Sequence, residues 1–335
     1  MPSRLHLLAL QAAVVVAALL LAGCSGGAVP GGSSDGSGSA SGSGAAEVAE
    51  GTCWTADLRG ADPQHVLALS KQYDVPYLVA ARAIATWPSF GRSVPCADDH
   101  AVEVVKVLRL PALEDRLTDY GALLRPQTPL AGKVARSVAE GCMTGPLAQA
   151  VARSGLPNAV MEPVLAGATL GWAPAPPERW SQGQRVFACT LTWKHPQKAR
   201  YAAVFTRDLP TALRTCIDSR SLLFVDCARG HDRERIAVIE AREAVAAGAF
   251  PGPRAIRPGP DGRYLDVPDA TWARLDAACT AYLRAVSTTK KLTGVANVDV
   301  DEWPTPDGSY PIYCDADRKP DQKSLVTQGS VYDRD

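Results

Sequence analysis

Five segments of the chain are rich in Val, Ile, Phe or Tyr and are bounded by turn residues, a pattern typical of β-strands. The predicted strands are 102–110, 186–193, 201–206, 235–240 and 309–314, with 194–200 as a loop. Apolar residues in 269–286 recur at helical spacing instead, and a second helical segment covers 133–142. These elements predict an α+β fold in which one principal helix of each half lies on a small antiparallel sheet.

A pair of short helices is predicted within a further segment, about 55–92. Asp62 followed by Pro63 is typical of a helix cap and first turn, and Asp74-Val75-Pro76 has the same character. The residues expected to be buried in the second helix are Tyr77, Val79 and Ile84. This helical insert distinguishes the first half of the chain from the second.

Landmark residues recur in the same order in the two halves. VPCADDHAVEVVKV and VDCARGHDRERIAV each contain a Cys, a His four residues later, and a Glu three residues after the His. The repeated polar residues are His100 with Glu103, and His231 with Glu234. Later in each half a Trp precedes a turn Gly, and a Cys follows that Gly by six residues. A tandem duplication is the simplest explanation. It predicts domains at 51–207 and 208–317, followed by a polar tail at 318–335.

Cys24 ends a segment that resembles an export and lipidation signal, as the next paragraph describes, and is set aside. Eight cysteines remain: Cys53, Cys96, Cys142, Cys189, Cys216, Cys227, Cys279 and Cys314. An even number in an exported protein favours disulfides, and the duplication leaves three possible pairings in each half. Cys216 and Cys227 flank a predicted hairpin, which favours joining the first cysteine to the second and the third to the fourth. Zinc is the alternative, but an exported chain with paired cysteines rarely keeps free thiolates.

The first residues have the composition of a bacterial lipoprotein signal. A positive Arg4 precedes an apolar run, which ends in Leu21-Ala22-Gly23-Cys24 and so resembles a lipobox. An uncleaved membrane anchor is the alternative, but the stretch without polar side chains, 12–23, is shorter than the roughly 20 residues that span a bilayer. We therefore expect a signal peptide at 1–23 and lipid, such as palmitate chains, on Cys24.

A Gly- and Ser-rich segment, 24–50, follows and is predicted to be a flexible tether. It would hold the folded part on the extracytoplasmic face of the cell membrane. The chain has 35 basic and 35 acidic residues, so no net charge attracts it to nucleic acid. Its hydrophobic content of 46% is enough to form buried cores. The membrane, through the lipid anchor, is the first expected partner.

The cysteine pattern resembles the septum formation-related domain of actinobacterial envelope proteins. Gly51-Thr52-Cys53, Cys96 with His100 and Glu103, a helical Cys142, and Trp180 with Gly183 before Cys189 carry the resemblance. The second half is similar to a diverged copy, but it lacks the Gly before Cys216. The resemblance covers most of residues 51–316. It implies a cell-envelope domain linked to septum formation or cell-wall organisation, with division proteins or peptidoglycan as partners and no established catalytic activity.

Candidate chemistry is sparse. Gly32-Ser33-Ser34-Asp35-Gly36 has the Gly-x-Ser-x-Gly spacing, but it lies in the predicted tether and not between a strand and a helix. Outside that segment the chain has no Gly-x-Ser-x-Gly, and it has no HExxH, P-loop or dinucleotide motif, so no catalytic residue, cofactor or metal is expected. The His100–Glu103 and His231–Glu234 pairs are the candidate ligand-binding groups, as a ligand contact, a metal contact or a pH switch. The competing interpretation, which we favour, is that each His bonds backbone beside a disulfide.

Three functional hypotheses follow from the sequence. A non-catalytic interaction lipoprotein of the envelope is favoured. A tethered cell-wall-active enzyme would need a cavity lined by acids with shifted pKa values. A solute-binding lipoprotein of a transporter would need a deep cleft between two lobes.

We predict that Cys24→Ser moves the protein from the membrane fraction to the soluble fraction, because the acyl chains that would anchor it are attached through the thiol. Ultracentrifugation followed by immunoblotting measures the distribution. Ser25→Ala is the control and should remain with the membrane. A Cys24→Ser protein that still sediments with membranes would show that Cys24 carries no anchor.

Overall fold

The computed structural model describes residues 47–56, 62–88, 90–218, 223–252, 265–288, 292–299, 303–306, 308–318 and 329–333. The predicted signal peptide, Cys24 and most of the tether lie outside these ranges. The tether was expected to extend to residue 50, but Val48 is buried in the core and Gln184 donates hydrogen bonds to Glu47 and to the Val48 carbonyl. The folded part therefore begins before residue 50. Among the described residues, no helix combines the length and apolar character needed to cross a membrane.

The described residues of the first half, up to residue 207, form six strands and five α-helices. Its elements are β1 (Cys53–Ala56), α1 (Pro63–Gln72), α2 (Tyr77–Ala85), β2 (Phe90–Val94), β3 (His100–Leu108), α3 (Pro129–Cys142), α4 (Gly145–Val151), β4 (Val160–Pro163), β5 (Ala168–Pro174), α5 (Pro177–Ser181) and β6 (Phe187–Gln197). A short 3₁₀ helix, Tyr201–Phe205, follows β6.

The second half is more compact in sequence. Its elements are β7 (Thr215–Asp218), β8 (Leu223–Val225), β9 (Arg233–Glu240), α6 (Arg242–Ala246), α7 (Asp269–Val286), β10 (Leu292–Asn297) and β11 (Pro311–Arg318). A 3₁₀ helix, Val331–Asp333, follows β11. Helix α7 has the bounds predicted from its apolar spacing. Its buried face consists of Trp272, Leu275, Ala278, Cys279, Tyr282 and Leu283.

Two antiparallel sheets form the framework, which confirms the α+β class. The first sheet has the strand order β2-β1-β3-β6-β5, and the second has the order β8-β7-β9-β11-β10. The two orders are the same when the strands are matched through their cysteines. The strand β4 is the exception, because it belongs to the first half in sequence but pairs with β9 in the second sheet. The boundary at residue 208 stays a prediction, and β4 connects the two sheets across it.

All four disulfides join the predicted pairs: Cys53–Cys96, Cys142–Cys189, Cys216–Cys227 and Cys279–Cys314. The first and third connect the ends of a strand pair, and the second and fourth connect the principal helix to the last strand of each sheet. The predicted hairpin is present, since Cys216 lies opposite Val225 and Ile217 opposite Phe224. The disulfides therefore hold each helix on its own sheet.

The insert at about 55–92 contains the two predicted helices. Asp62 caps α1 by accepting a hydrogen bond from the Gln64 N–H, as the Asp-Pro pattern indicated. Ile84 is buried and Val79 is partly buried, but Tyr77 is 38% exposed, so the prediction for Tyr77 was wrong. Tyr77 is the first residue of α2, and Ala80 and Ala83 supply the buried face of the helix instead.

Two predictions for the end of the first half were wrong. Residues 201–206, rich in aromatic and β-branched residues, were expected to form a strand but form the 3₁₀ helix Tyr201–Phe205. The preceding loop was expected to start at residue 194, but β6 continues to Gln197. The Tyr201 N–H bonds to the buried Glu103 carboxylate instead of to a neighbouring strand. A tertiary contact thus overrides the local strand propensity.

Residues 318–335 were predicted to form a polar tail. For the described residues 329–333 this prediction was also wrong. Val331 is 2% exposed and Tyr332 is 7% exposed, and both belong to the core that contains α7. The Tyr332 hydroxyl lies 3.2 Å from that of Tyr282, and the Arg214 guanidinium lies 3.6 Å from the Tyr332 ring centroid. Two apolar residues in a charged sequence were too weak a signal to predict this packing.

Candidate functional site

His100 and His231 occupy equivalent places, each in a tight turn after a disulfide cysteine. The Nδ1 atom of His100 lies 2.9 Å from the Asp98 carbonyl, and that of His231 lies 2.8 Å from the Arg229 carbonyl. Because a carbonyl only accepts, Nδ1 carries the proton in both rings. Both side chains are buried. This is the backbone-bonding geometry that the sequence favoured over a ligand site.

Glu103 and Glu234 are buried carboxylates that bind the segment following the last strand of each sheet. Glu103 accepts from the Tyr201 N–H at 2.6 Å and from Arg200 Nε at 2.8 Å. Glu234 accepts from the Val331 N–H at 2.7 Å and from the Ser330 hydroxyl at 2.8 Å. In both halves, one oxygen binds a backbone amide and the other binds the preceding side chain. The repeated Glu therefore fixes the 3₁₀ helix that ends each half.

Potential metal-ligand atoms come together in the second half. Those of Cys216, His231 and Glu234 lie within 4.8 Å of one another. The Cys216 sulfur is bonded to Cys227 and so is not a thiolate, and both Glu234 oxygens accept hydrogen bonds. His231 Nε2 lies 3.3 Å from the Cys216 sulfur. The donor set fits a structural cluster around a disulfide better than a metal site, because zinc binds cysteine as the thiolate.

A cavity of about 250 Å³ lies where the first sheet meets β4, the strand that pairs in the second sheet. Its apolar lining includes Val105, Ala139, Met143, Leu147, Val160, Met161, Leu170 and Trp172, together with the Cys142–Cys189 disulfide. The polar side chains that line it are Thr86, Glu162, Thr190 and Tyr201. Mostly apolar walls with few polar groups are typical of small-ligand sites.

The strand β5, beside the cavity, carries large side chains at positions where the equivalent strand of the second half, β10, carries small residues. Trp172 lies opposite Cys189 in the strand pairing, and Ala296 lies opposite the equivalent Cys314. By the same matching, Leu170 corresponds to Gly294. A Cβ at Gly294 would overlap the backbone of α7 at Cys279 and Thr280, so α7 lies directly on β10.

The two helices also end differently beyond their disulfide cysteines. The Thr280 hydroxyl donates to the Gly294 carbonyl and accepts from its N–H, so α7 is bonded to the sheet. Met143 takes the equivalent place in the first half, where α3 has already ended at Cys142. Bulky residues on β5 and the early end of α3 together leave space for the cavity.

Glu162 is the ionisable group of the cavity. It is half-buried, whereas its neighbours in β4, Met161 and Pro163, are buried. Burial, with a smaller contribution from the negative charge of Glu240, raises the pKa of Glu162 to about 7. Within the described residues, its carboxyl has no hydrogen-bond donor, and no cation lowers its pKa.

Tyr201 connects the sequence-predicted Glu103 to the cavity. Its N–H binds Glu103, and its hydroxyl lies 2.7 Å from the Thr144 hydroxyl. Burial raises the pKa of Tyr201, and the negative charges of Glu162 and Glu103 raise it further, against the lowering effect of the Thr144 hydrogen bond. Glu103 thus acts as a positioning residue for one wall of the cavity rather than as a ligand.

The candidate residues do not form one site. His100 and Glu103 belong to the first sheet and His231 and Glu234 to the second, and none of the four lines the cavity. Cys24 lies outside the described residues.

The sequence analysis did not identify Glu162. Its signal in the sequence is a single acidic residue within the apolar segment Ala159-Val160-Met161-Glu162-Pro163-Val164-Leu165.

Comparison with known proteins identifies no relative: no family model, curated protein or solved structure matches the chain.

We predict that replacing His100 and His231 together by Phe lowers the melting temperature by several degrees without changing metal content. Each replacement removes a part-buried hydrogen bond between the ring and a backbone carbonyl, at a cost of about 0.5–1.5 kcal/mol. Differential scanning calorimetry and elemental analysis measure the two quantities. The exposed His195 is the control, and His195→Phe should leave the melting temperature unchanged. Stoichiometric zinc or copper that is lost in the double variant at unchanged stability would assign the histidines to a metal site.

Proposed function

We propose that this chain is a non-catalytic lipoprotein of the cell envelope that binds a small ligand in the cavity beside Glu162. The observation that carries the proposal is the cavity itself. It is a partly open pocket of about 250 Å³ that combines apolar walls with one carboxyl. Cavities of roughly 150 Å³ with apolar walls are known to bind benzene.

The envelope location is supported by the chemistry of the chain. All eight cysteines outside Cys24 are paired in disulfides, which form and persist in oxidising compartments. The lipobox-like Cys24 and the Gly- and Ser-rich segment support attachment to the outer face of the membrane. A role in septum formation or cell-wall organisation, with division proteins or peptidoglycan as partners, rests on the resemblance in the cysteine pattern.

A tethered enzyme is the second candidate, favoured by the pKa of Glu162, because a carboxyl that titrates near neutral pH suits general acid–base catalysis. Catalysis also requires a second reacting group at a fixed geometry. The Tyr201 hydroxyl, which belongs to a residue of the lining, is engaged with Thr144. The lining therefore supports binding better than bond cleavage. A transporter's solute-binding protein would share the ligand cavity but would have two α/β lobes, and this fold is α+β.

We predict that toluene binds the protein and that Ala139→Leu weakens the binding at least tenfold. Ala139 lines the cavity, so the larger side chain occupies the space of the ligand. Ligand-observed NMR titration measures the affinity. Ala135→Leu is the matched control, because Ala135 is half-buried one turn earlier on α3 and does not line the cavity. Undetectable toluene binding by the wild type, or equal binding by both variants, would contradict a ligand site in the cavity.

A further inference from the structure

The carboxyl of Glu162 has a negatively charged neighbour and, among the described residues, no positively charged partner. Glu240, on the neighbouring strand β9, adds a second negative charge. Arg200 is paired with Glu103, and within the described residues no cation lowers the pKa of Glu162. Tyr201, the remaining titratable group that interacts with Glu162, carries no positive charge. Within the described residues, the cavity therefore contains a carboxyl without a counter-charge.

An unpaired carboxyl in an apolar cavity is costly when it is ionised, because burial removes its hydration without supplying another partner. A bound cation would provide the missing interaction and would be attracted by Glu240 as well. An inorganic cation would need several oxygen ligands, whereas the rest of the lining is dominated by carbon and sulfur. An organic cation, with an apolar body and a positively charged nitrogen, matches both parts of the cavity.

The aromatic lining supports the same ligand chemistry. Trp172 and Tyr201 line the cavity together with Glu162. Indole and phenol rings attract ammonium groups through their π-systems, and apolar surroundings strengthen the attraction. Leu147, Leu170 and Val105 offer surface for a hydrocarbon body. The volume of about 250 Å³ limits that body to about one aromatic ring with a short side chain.

We propose that the cavity is a site for small organic ammonium compounds, with the charged nitrogen at Glu162 and the apolar part against Leu170 and Trp172. This inference rests on the proposed function, since it specifies the ligand class of the same cavity. The proton and the ligand cation compete for one carboxyl. Binding is therefore strongest above the pKa of Glu162 and weakens as the pH falls below it.

The experiment uses three probes of similar shape: benzylamine, benzyl alcohol and toluene. Isothermal titration calorimetry at pH 8 with the folded wild-type protein should show benzylamine binding at least tenfold tighter than benzyl alcohol. Below pH 7, the benzylamine affinity should fall by about tenfold per pH unit, because each unit protonates the carboxyl further. The affinity for toluene should not change with pH.

The decisive variant is Glu162→Gln, which keeps the shape of the side chain and removes its charge. It should lose the preference for benzylamine and retain toluene binding. Glu140→Gln is the matched control, because Glu140 is exposed on α3 outside the cavity. Since the raised pKa of Glu162 means that ionisation opposes folding, the stability advantage of Glu162→Gln over the wild type should grow as the pH rises from about 4.5 to about 7 and stay constant at higher pH. That gain also verifies that the variant is folded.

The outcomes separate the two proposals. Toluene binding without a preference for benzylamine, or a preference that survives in Glu162→Gln, overturns the ammonium site and leaves the cavity proposal intact. If toluene does not bind the wild type, the ligand cavity itself is rejected, and this inference with it.

Discussion

The structure depends on one repeated interaction, in which a buried glutamate captures the backbone that leaves the last strand of each sheet. Glu103 holds the Tyr201 amide, and Glu234 holds the Val331 amide. Each carboxylate lies on the central strand of its sheet, so the captured segment is drawn across the core rather than released to solvent. A buried carboxylate needs such donors, because without them its desolvation would be uncompensated. The hydrogen bonds that the buried carboxylate needs are therefore the same bonds that hold the closing segment in place.

The two halves use this shared framework differently. The second half is closed, because Gly294 allows α7 to lie directly on β10. The first half has Leu170 and Trp172 at the corresponding places, and a cavity remains next to its disulfide. Tyr201, fixed by Glu103, forms part of that cavity, whereas its counterpart Val331 fills the core of the second half. The same framework thus contains a cavity in the first half and a packed core in the second.

Much of the fold could be predicted because it follows from local signals. Cysteine order gave the correct disulfide pairs, the apolar spacing of α7 gave its bounds, and the Asp62-Pro63 pattern marked the start of α1. The cavity could not be predicted in this way. Glu162 comes from β4, a strand that leaves its own half to pair with β9, and such a crossing has no local signature. Residues 201–206 were misassigned for a related reason, since a distant carboxylate decides their conformation.

The central claim is that each buried glutamate fixes the closing segment of its own half, and native-state hydrogen exchange tests it most directly. Glu103→Gln should speed exchange of the Tyr201 amide by roughly 30-fold, which corresponds to about 2 kcal/mol for the loss of a charged hydrogen bond. It should leave Val331 protected, and Glu234→Gln should do the reverse. Unchanged protection at both amides, or equal loss at both in either variant, would contradict the account.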